Sequence, residues 1–581
     1  MIVRTFGWIQ NAAKTSSLKA LLKVFVYNSD VNKKLRETKL AALILDKPER
    51  DSFIRLISAE KMSIPYKALK GRGKGSAFSR RDASCSGIAQ AAIPAQGGKE
   101  YTDDWSADCF LRWAVSLGFL AYSRSSDSCE ITEAGICFAN TLENSNEEKE
   151  ALGYAYLSYP PAVRVLSLLN ECGHLTKFEI GAKLGFLGEA GFTSVPQNLF
   201  VHALCTATPD EGKAIRSNVE GDSDKYARMI CGWLSELGWV KREAKTVTEK
   251  IGKQEYTAKI GTAYIITLEG RRQLQIAQGQ SSHKKIPKIV HWESLATKPS
   301  DSIYLRNRRA NIIMHISGDK KTPAQIAAYL TSLGFSENEN AVLEDIHNFI
   351  NIGLSVKSSG GTYRITDFII GLDIPVIYEQ SEKSNITKIK DTIRDKLKAV
   401  NHKYLSLVDL SYNSKTNRDF EIQTIALLVN EIGFDGCHLG GSRRPDGIVF
   451  KDSNGVIIDN KAYSEGFTLP ISEQDKMLRY IEDNQKRDTV ITPNCWWLNF
   501  SESVSVFSFL FVSSFFSQDI PNKLNQLSLR AKTQGSAINV PNLLLLAEEI
   551  KTGRLSYEDS FTILKRNCEI TPPYQKLHKN K

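Results

Sequence analysis

The segment GGSRRPDGIVFKDSNGVIIDNKAYSEG, residues 440–466, decides how the C-terminal third of the chain folds. Within it, the apolar runs 447–450 and 456–458 flank a turn at 452–455 that is rich in Asp, Ser, Asn and Gly. Short apolar runs joined through such a turn are typical of a β-hairpin. The segment therefore predicts two paired strands, with polar residues gathered at the ends of the pair.

Three charged residues lie at those strand ends. Asp459 and Lys461 are two residues apart, so on a strand they project from the same face, and the hairpin can bring Asp446 beside them. Two carboxylates offer the hard oxygen ligands that suit Mg²⁺, which keeps several waters and binds a phosphate. A lysine beside them can position a water or neutralise charge in the transition state. The cluster predicts phosphodiester hydrolysis, with Asp446 and Asp459 as metal ligands.

The pattern PD followed by DxK is short, and turn-capping aspartates with a surface lysine would give the same letters. The rest of the composition favours the hydrolytic interpretation. The 581 residues carry 75 Lys and Arg against 65 Asp and Glu, a net charge of +10 that favours a polyanionic partner. The ten cysteines contain no CxxC pair, which argues against a structural zinc site and fits a reducing cytosol.

Helices and a further strand are predicted around the hairpin, giving an α/β domain. The helix predicted at 418–433 carries Glu421, which either supports the metal ligands from behind or simply favours the helix N-terminus; we favour the second role. The helix predicted at 472–487 carries Asp475 and Arg479 four residues apart, an arrangement common in exposed ion pairs. The apolar run 504–516 is too short to span a membrane and predicts a buried strand.

Upstream, one pattern occurs three times, at 112–135, 232–270 and 348–367. Each copy reads as an amphipathic helix, a glycine stop, a strand, a turn and a second strand, which is typical of a winged helix-turn-helix. Winged helices bind DNA or serve as docking and spacer modules. The predicted domains are 1–146, 147–284 and 285–375 for the three winged-helix-like units, 376–388 for a linker, and 389–581 for the α/β domain.

Charged residues distinguish the three units. The first has the loop GRGKGSAFSRR, residues 71–81, which suits phosphate tracking as well as a solvated loop. In the second, Asp222 or Ser223 can cap a helix whose first turns present Lys225 and Arg228, cations suited to guanine in a major groove. The third unit has an ordinary mixture of charges, so we interpret it as a spacer or docking module.

Long motifs throughout the chain resemble the FokI-like family of type IIS restriction endonucleases. The motifs are RTFGWIQN at 4–11, DDWSADCFLRWAVSLGF at 103–119, SDKYARMICGWL at 223–234, HLGGSRRPDG at 438–447 and LPISEQDKMLRYIEDNQ at 469–485. The resemblance implies three helical recognition subdomains followed by a PD-(D/E)xK nuclease domain. It implies a catalytic triad of Asp446, Asp459 and Lys461. Asn460 replaces the family's usual threonine, and its side chain should face away from the metal.

The resemblance also implies roles outside the triad. Asp475 and Arg479 match residues through which two cleavage domains pair, and this outweighs the simple ion-pair interpretation. The residues matching positions that contact the recognition site are Gln10, Asn11, Arg80, Gln96, Trp105, Ser217, Glu220, Lys225 and Arg228. Ser217 lies where the family has asparagine.

Taken together, the sequence predicts a Mg²⁺-dependent type IIS endonuclease of the bacterial cytoplasm that has no membrane partner. It would bind a short asymmetric site in double-stranded DNA, similar to GGATG, and cut both strands at a fixed distance downstream. A transient homodimer on DNA and a companion DNA methyltransferase in the cell are implied. Two alternatives are a winged-helix DNA-binding regulator with an inactive nuclease-like domain, and a nuclease with little sequence preference.

Overall fold

The structure is a computed structural model, and it describes residues 6, 9, 12, 14–71, 85–94, 100–185, 195–221, 223–251, 254–280, 283–296, 302–375, 385–441, 443–492 and 494–574. A helix-rich N-terminal part is followed by an α/β domain, as the sequence predicts. In the described part of the chain, no helix is both long and apolar enough to cross a membrane.

The first unit packs helices against a small antiparallel sheet. Its helices are α1 (Thr15–Lys23), α2 (Asp30–Lys34), α3 (Leu40–Leu43), α4 (Lys47–Leu56), α5 (Tyr66–Lys70), α6 (Ile88–Ala92), α7 (Asp104–Ser116) and α8 (Glu133–Asn140). Its strands are β1 (Ile64–Pro65), β2 (Leu120–Ser123) and β3 (Ser128–Ile131), in the order β1-β3-β2.

The second unit repeats this plan with an inserted hairpin. Its helices are α9 (Asn146–Ser158), α10 (Pro160–Cys172), α11 (Lys177–Ala182), α12 (Gln197–Cys205), α13 (Pro209–Ile215), α14 (Lys225–Glu236) and α15 (Leu268–Ala277). Strands β4 (Leu175–Thr176), β5 (Val240–Arg242) and β8 (Ala263–Ile266) form a sheet in the order β4-β8-β5, while β6 (Lys245–Ile251) and β7 (Gln254–Ile260) form the insertion.

The third unit is smaller and follows the same outline. It contains β9 (Lys288–Ile289), α16 (Ser302–Gly318), α17 (Pro323–Ser332), α18 (Glu339–Ile352), β10 (Val356–Ser359), β11 (Thr362–Ile365) and β12 (Ile369–Ile370). Strands β10 and β11 pair as the predicted hairpin, and β12 pairs in parallel with β9.

The repeat seen in the sequence extends to the hydrogen bonds. In the first unit the hydroxyl of Thr132 caps α8 and also donates to the carbonyl of Phe119, at 3.1 Å. In the second unit Thr267 caps α15 and donates to the carbonyl of Trp239, at 3.0 Å. In each unit the carbonyl follows a helix-ending glycine and the threonine follows the second strand of the wing. The first two copies therefore share one local design, in agreement with the repeat predicted from the sequence.

One large apolar cluster runs through the three units, and a smaller separate cluster in the second unit packs α11 and α12 against the inserted hairpin. Trp113 of α7 stacks on Trp233 of α14 with ring centroids 4.9 Å apart, and both indoles are buried. The indole N–H of Trp233 donates to the carbonyl of Ala12 at 2.7 Å. The first two units are thus held against each other by packed aromatic surface.

The α/β domain, residues 385–574 and hereafter the C-terminal domain, is built on a twisted sheet with helices on both faces. Its helices are α19 (Asn385–Arg394), α20 (Ser406–Ser411), α21 (Asn417–Ala426), α22 (Ile471–Lys486), α23 (Ile520–Ala531), α24 (Val540–Lys551) and α25 (Tyr557–Ile563). Its strands are β13 (Asp435–His438), β14 (Gly447–Lys451), β15 (Asn454–Lys461), β16 (Val506–Ser513) and β17 (Gly535–Asn539), in that order across the sheet.

The predicted hairpin is β14 and β15, and the predicted buried strand is β16. Strands β13 to β15 pair antiparallel, whereas β15, β16 and β17 run parallel. The predicted helix 418–433 begins as α21 and continues as a π-helical segment, Leu427–Ile432. Separate apolar clusters cover the two faces of the sheet.

The third unit meets the C-terminal domain through buried charges. The carboxylate of Glu337 accepts a hydrogen bond from Nδ1 of His402 at 2.8 Å and pairs with Arg308 at 2.9 Å and with Arg394 at 3.7 Å. Burial alone would raise the pKa of Glu337, but the charge of Arg308, the hydrogen bond from His402 and the charge of Arg394 outweigh it and hold the pKa far below its ordinary value. This contact ties α19 and the segment after it to the third unit.

Candidate active site and DNA-facing residues

The hairpin brings the three charged residues of the PD…DxK pattern together. The backbone N–H of Asn460 donates to Oδ2 of Asp446 at 2.6 Å, which fixes that carboxylate beside the end of β15. Nζ of Lys461 lies 2.6 Å from Oδ2 of Asp459. Each of these side chains is at least nine-tenths buried. The register of the two strands, Gly447 opposite Ile458, is what places Asp446 at this end of the sheet.

The negative charges of the carboxylates in this cluster are close together and buried, which disfavours ionisation of Asp446. Burial, together with the nearby carboxylates of Asp459 and Glu421, raises the pKa of Asp446 well above its ordinary value. The N–H of Asn460 and the ammonium of Lys461 oppose that shift. Two buried carboxylates that repel each other are a favourable place for a divalent cation, which would relieve the repulsion.

The carboxylate oxygens of the cluster are suitable ligands for a magnesium ion that also binds water. Among the described residues, no group of three His, Cys, Asp or Glu side chains is arranged to enclose a metal. The buried, mutually repelling carboxylates of Asp446 and Asp459 would supply two oxygen ligands and leave the other positions to water and phosphate, which is how Mg²⁺ is commonly bound. The residues present agree with such a site.

Asn460 lies between the two site residues of β15 but on the other face. Val456 and Ile458 share its face and pack in one apolar cluster, whereas Ile457 packs in the opposite one. The Asn460 side chain is buried, and within the described residues its amide has no hydrogen-bond partner. The side chain thus points away from Asp459 and Lys461, in the direction that the sequence suggests.

Helix α22 adds two side chains that the sequence analysis missed. Oε2 of Glu473 lies 2.7 Å from Nζ of Lys461, and Nζ of Lys476 lies 3.3 Å from Oδ1 of Asp459. These two residues are three apart on the predicted helix, so they share a face. That spacing was a usable signal, but only the fold shows that the face is turned toward β15.

Glu421 contributes to the cluster from α21. Its carboxylate accepts hydrogen bonds from Asn417 at 2.6 Å and faces Nε2 of His438 at 3.1 Å. Its charge also raises the pKa of Asp446. The sequence favours a role for Glu421 at the start of the helix, and the residue does lie in the first turns of α21. Its charge also acts on Asp446 in the site.

Asp475 and Arg479 lie on the solvent side of α22. Asp475 pairs with Arg530 of α23 and not with Arg479, so the intrahelical pair expected from the spacing is not formed. The guanidinium of Arg479 lies over the ring of Tyr480, 5.5 Å from its centroid. Both charged side chains are exposed, on a surface that also includes α23.

Several sequence-predicted DNA contacts lie outside the described residues, namely Gln10, Asn11, Arg80 and Gln96. Trp105 is half-buried on α7, and Ser217 is exposed in the π-helical turn Arg216–Glu220. Lys225 and Arg228 are exposed on the first turns of α14, where the sequence places them.

The start of α14 differs from the predicted cap. The N-cap position is Asp224, whose backbone is left-handed with φ of 46°, so Ser223 lies one residue outside the helix, and Asp222 lies outside the described residues. The ammonium of Lys177 donates hydrogen bonds to the carbonyls of Glu220 and Ser223, and these bonds fix the turn before α14. The local anchor is thus a buried lysine, which a capping pattern cannot reveal.

The carboxylate of Glu220 is occupied within the second unit. Its Oε1 accepts from the hydroxyl and the N–H of Thr262, at 2.9 and 3.2 Å, and from the N–H of Gly261 at 3.2 Å. Its Oε2 pairs with Arg216 at 3.3 Å. In this structure Glu220 therefore braces the turn between β7 and β8.

A cleft of about 1250 Å³ lies between the second unit and the C-terminal domain. Arg418, Arg443 and Arg444 line it on one side, next to Glu421. Arg444 donates to Nδ1 of His202 at 2.8 Å across the cleft. Burial, and then the charge of Arg444, lowers the pKa of His202 to about 4, so the ring is neutral and accepts this hydrogen bond.

Comparisons with known proteins cover all four parts of the chain. Family models described as FokI recognition domain subdomain 1, FokI recognition domain subdomain 2, FokI D3 domain and FokI cleavage domain match residues 4–141, 148–282, 295–361 and 383–571. Type II restriction enzyme FokI of Planomicrobium okeanokoites is 40% identical over 566 residues, covering 96% of this chain and 97% of its own length.

A second relative, type II restriction enzyme StsI of Streptococcus sanguinis, is 32% identical and covers 95% of this chain and 94% of its own. Among solved structures, restriction endonuclease FokI aligns with a TM-score of 0.84 and 39% identity, over 98% of this chain and 100% of that one. The structure of FokI bound to DNA aligns with a TM-score of 0.83. From this similarity along its whole length, the chain belongs to the FokI family of type II restriction endonucleases.

Proposed function

We propose that this enzyme binds a short asymmetric site in double-stranded DNA and hydrolyses both strands at a fixed distance downstream. The observation that carries the proposal is the buried cluster of Asp446, Asp459 and Lys461 at one end of β14 and β15. Asp446 and Asp459 would hold Mg²⁺, which when bound stabilises charge on the phosphate and lowers the pKa of a bound water. Lys461 orients the attacking water and neutralises charge that develops on the scissile phosphate.

Recognition is assigned to the first two units. Lys225 and Arg228 project from the start of α14, where a helix entering a major groove presents its first turns to base edges. The other proposed contacts are Gln10, Asn11, Arg80, Gln96, Trp105, Ser217 and Glu220. A site similar to GGATG is consistent with two cations suited to guanine and a glutamate suited to cytosine. The solved structure of FokI bound to DNA supports duplex DNA as the partner.

Cutting both strands needs a second active site, because one cluster hydrolyses one phosphodiester bond at a time. We assign the pairing surface to the exposed Asp475 and Arg479 on α22, so that two cleavage domains meet transiently on DNA. Such an enzyme is expected in the bacterial cytoplasm, where a companion DNA methyltransferase protects the host's own sites.

The test is to sequence run-off cut ends from plasmid DNA incubated with the protein and Mg²⁺, with EDTA as the control. Ends clustered at one offset from a shared short motif are expected. Asp459→Asn is expected to abolish cutting and leave site binding intact. Scattered ends would contradict sequence-specific cutting, and binding without cutting in the unaltered protein would point to a DNA-binding regulator. Cutting by Asp459→Asn at the normal rate would place the active site elsewhere.

A further inference from the structure

The inner face of α22 closes a ring of alternating charges around the proposed active site. Lys476 lies 3.3 Å from Asp459, Asp459 lies 2.6 Å from Lys461, and Lys461 lies 2.7 Å from Glu473. Glu473 and Lys476 complete the ring at 3.9 Å. Two ammonium groups thus share the carboxylate of Asp459, one on each oxygen.

We propose that Lys476 is a second cation that contacts the scissile phosphate, and that Glu473 is a positioning residue that holds the ammonium of Lys461. The proposal rests on the proposed hydrolysis of DNA at Asp446, Asp459 and Lys461, and it adds α22 to that site.

The difference in exposure between the two lysines supports separate roles. The side chain of Lys461 is 8% exposed and has carboxylate oxygens within 2.7 Å on two sides, so its position is fixed. The side chain of Lys476 is 32% exposed, and it reaches the fully buried Asp459 from the solvent side. A phosphate that approaches the site from solvent therefore meets Lys476 before Lys461.

Charge balance supports the same assignment. Without Lys476, Lys461 would be the one cation among the described residues paired with Asp459 and Glu473, and the excess negative charge of the cluster would repel a phosphodiester. With Lys476 present, the site offers a long, flexible cation that can exchange its contact with Asp459 for one with an incoming phosphate, and Asp459 would then be available as a metal ligand. Held cations aimed at a transferring phosphoryl group stabilise the charge that develops on it.

Glu473 acts through Lys461. Its carboxylate draws the ammonium to a point between two acids, which restricts the lysine to one orientation. Replacing Glu473 by glutamine keeps the shape but removes the charge, so Lys461 is expected to lose its fixed place while the hairpin remains intact.

The experiment measures first-strand nicking of a supercoiled plasmid by the full chain in excess, in Mg²⁺. Second-strand cutting is scored separately, because a defect in pairing of cleavage domains slows that step. DNA binding is measured without divalent ions, and thermal unfolding is recorded for every variant. The test variants are Lys476→Gln, Lys476→Arg and Glu473→Gln.

Matched controls come from the same domain. Lys451 is also 32% exposed and lies 3.9 Å from a carboxylate, that of Asp435, at the far end of the hairpin. Glu549 is 33% exposed and pairs with Arg554 at 2.9 Å on α24. Lys451→Gln and Glu549→Gln are expected to nick DNA at the normal rate.

Lys476→Gln and Glu473→Gln are each expected to slow first-strand nicking by roughly tenfold or more, with unchanged DNA affinity and melting temperature. Lys476→Arg, which keeps the charge, is expected to recover most of the lost rate. A normal nicking rate in Lys476→Gln or Glu473→Gln would overturn the assignment of that residue, as would a rate loss matched by lost DNA binding or stability.

The same assay separates this proposal from the proposed function. If Asp459→Asn and Lys461→Gln are inactive while Lys476→Gln is normal, the hydrolytic site stands and the role of Lys476 fails. If Asp459→Asn and Lys461→Gln also nick at the normal rate, the proposed function itself fails.

Discussion

Replacing Glu337 by glutamine is expected to weaken the contact between the third unit and the C-terminal domain by about 3 kcal/mol. The Glu337 side chain is fully buried, and it accepts hydrogen bonds from the hydroxyl of Tyr304 at 2.7 Å, from Arg308 at 2.9 Å and from Nδ1 of His402 at 2.8 Å. It also forms an ion pair with Arg394 at 3.7 Å. Glutamine retains one acceptor oxygen, but its NH₂ group would face Arg308 or His402, which are themselves donors.

The magnitude follows from what each partner loses. Removing one member of a buried ion pair costs about 3–5 kcal/mol, because the remaining charge is left without compensation. Arg308 would keep Asp345 at 2.7 Å, and Arg394 would keep Asp391 at 2.6 Å, so the lower end of that range applies. His402 would lose its carboxylate, and His402 belongs to the C-terminal domain. The loss of local stability should therefore be greatest at the start of that domain.

Hydrogen exchange measured by mass spectrometry tests this location. A loss of about 3 kcal/mol corresponds to roughly a hundredfold faster opening, so peptides covering α19 and α20 should exchange faster by about that factor in Glu337→Gln. Peptides from β14, β15 and β16 should be unchanged. The control is Glu339→Gln, because Glu339 is exposed in the first turn of α18. Equal exchange in the two variants would refute the reasoning.

The pH dependence has a definite sign. Because the pKa of Glu337 is lowered in the folded chain, its contribution is complete above the ordinary glutamate value of 4.5. Below that value the unfolded chain takes up the proton first, so the contribution decreases as the pH falls toward the folded pKa. The difference between the unaltered protein and Glu337→Gln should accordingly narrow as the pH falls below 4.5.

Three further predictions follow. The pKa of His202 is lowered from 6.5 to about 4 beside Arg444, so below pH 6.5 the opened contact takes up a proton that the closed contact does not, and the contact should weaken as the pH falls from 6.5 toward about 4. Protection of α12 from hydrogen exchange should drop over that range, and His202→Gln should remove that pH dependence. A methyl group on Gly270 would lie 2.1 Å from the carbonyl oxygen of Trp239. Gly270→Ala should therefore lower the free energy of unfolding of the second unit by about 1–3 kcal/mol, measured by urea unfolding. Gly212→Ala is the control, because a methyl group there lies in open space on α13 and should leave the stability unchanged. Alanine at both Asp475 and Arg479 should slow second-strand cutting and leave first-strand nicking and DNA binding unchanged; unchanged second-strand kinetics would remove their pairing role.

The sequence predicts the hairpin of β14 and β15 well because residues close together in the chain determine its geometry. Alternation places Asp459 and Lys461 on one face, and the turn between the strands sets the register that brings in Asp446. The winged-helix repeats are also local, since each depends on one glycine stop and one short hairpin. In these segments a few neighbouring residues determine the geometry, and the structure agrees with the prediction.

The contacts that the sequence does not reveal join distant segments. Asp475 pairs with Arg530, which is 55 residues away, and not with Arg479 on its own helix. Arg444 reaches His202 across 242 residues, and Glu337 meets His402 across 65. Spacing rules consider only partners within a turn or two of helix or strand, so they assign Asp475 to the wrong neighbour. The packing of whole elements determines these pairs.

Helix α22 also limits how variants of this enzyme can be interpreted. Glu473 and Lys476 face the proposed active site, while Asp475, between them in sequence, faces solvent and α23. A substitution on α22 can therefore lower the yield of double-strand breaks in two ways: by slowing hydrolysis at the proposed active site, or by weakening the pairing of two cleavage domains. If Asp475→Ala slows only the second strand and Lys476→Gln slows the first, the two faces act separately. A defect in first-strand nicking for Asp475→Ala would mean that the Asp475–Arg530 pair also holds the inner face of α22 in place.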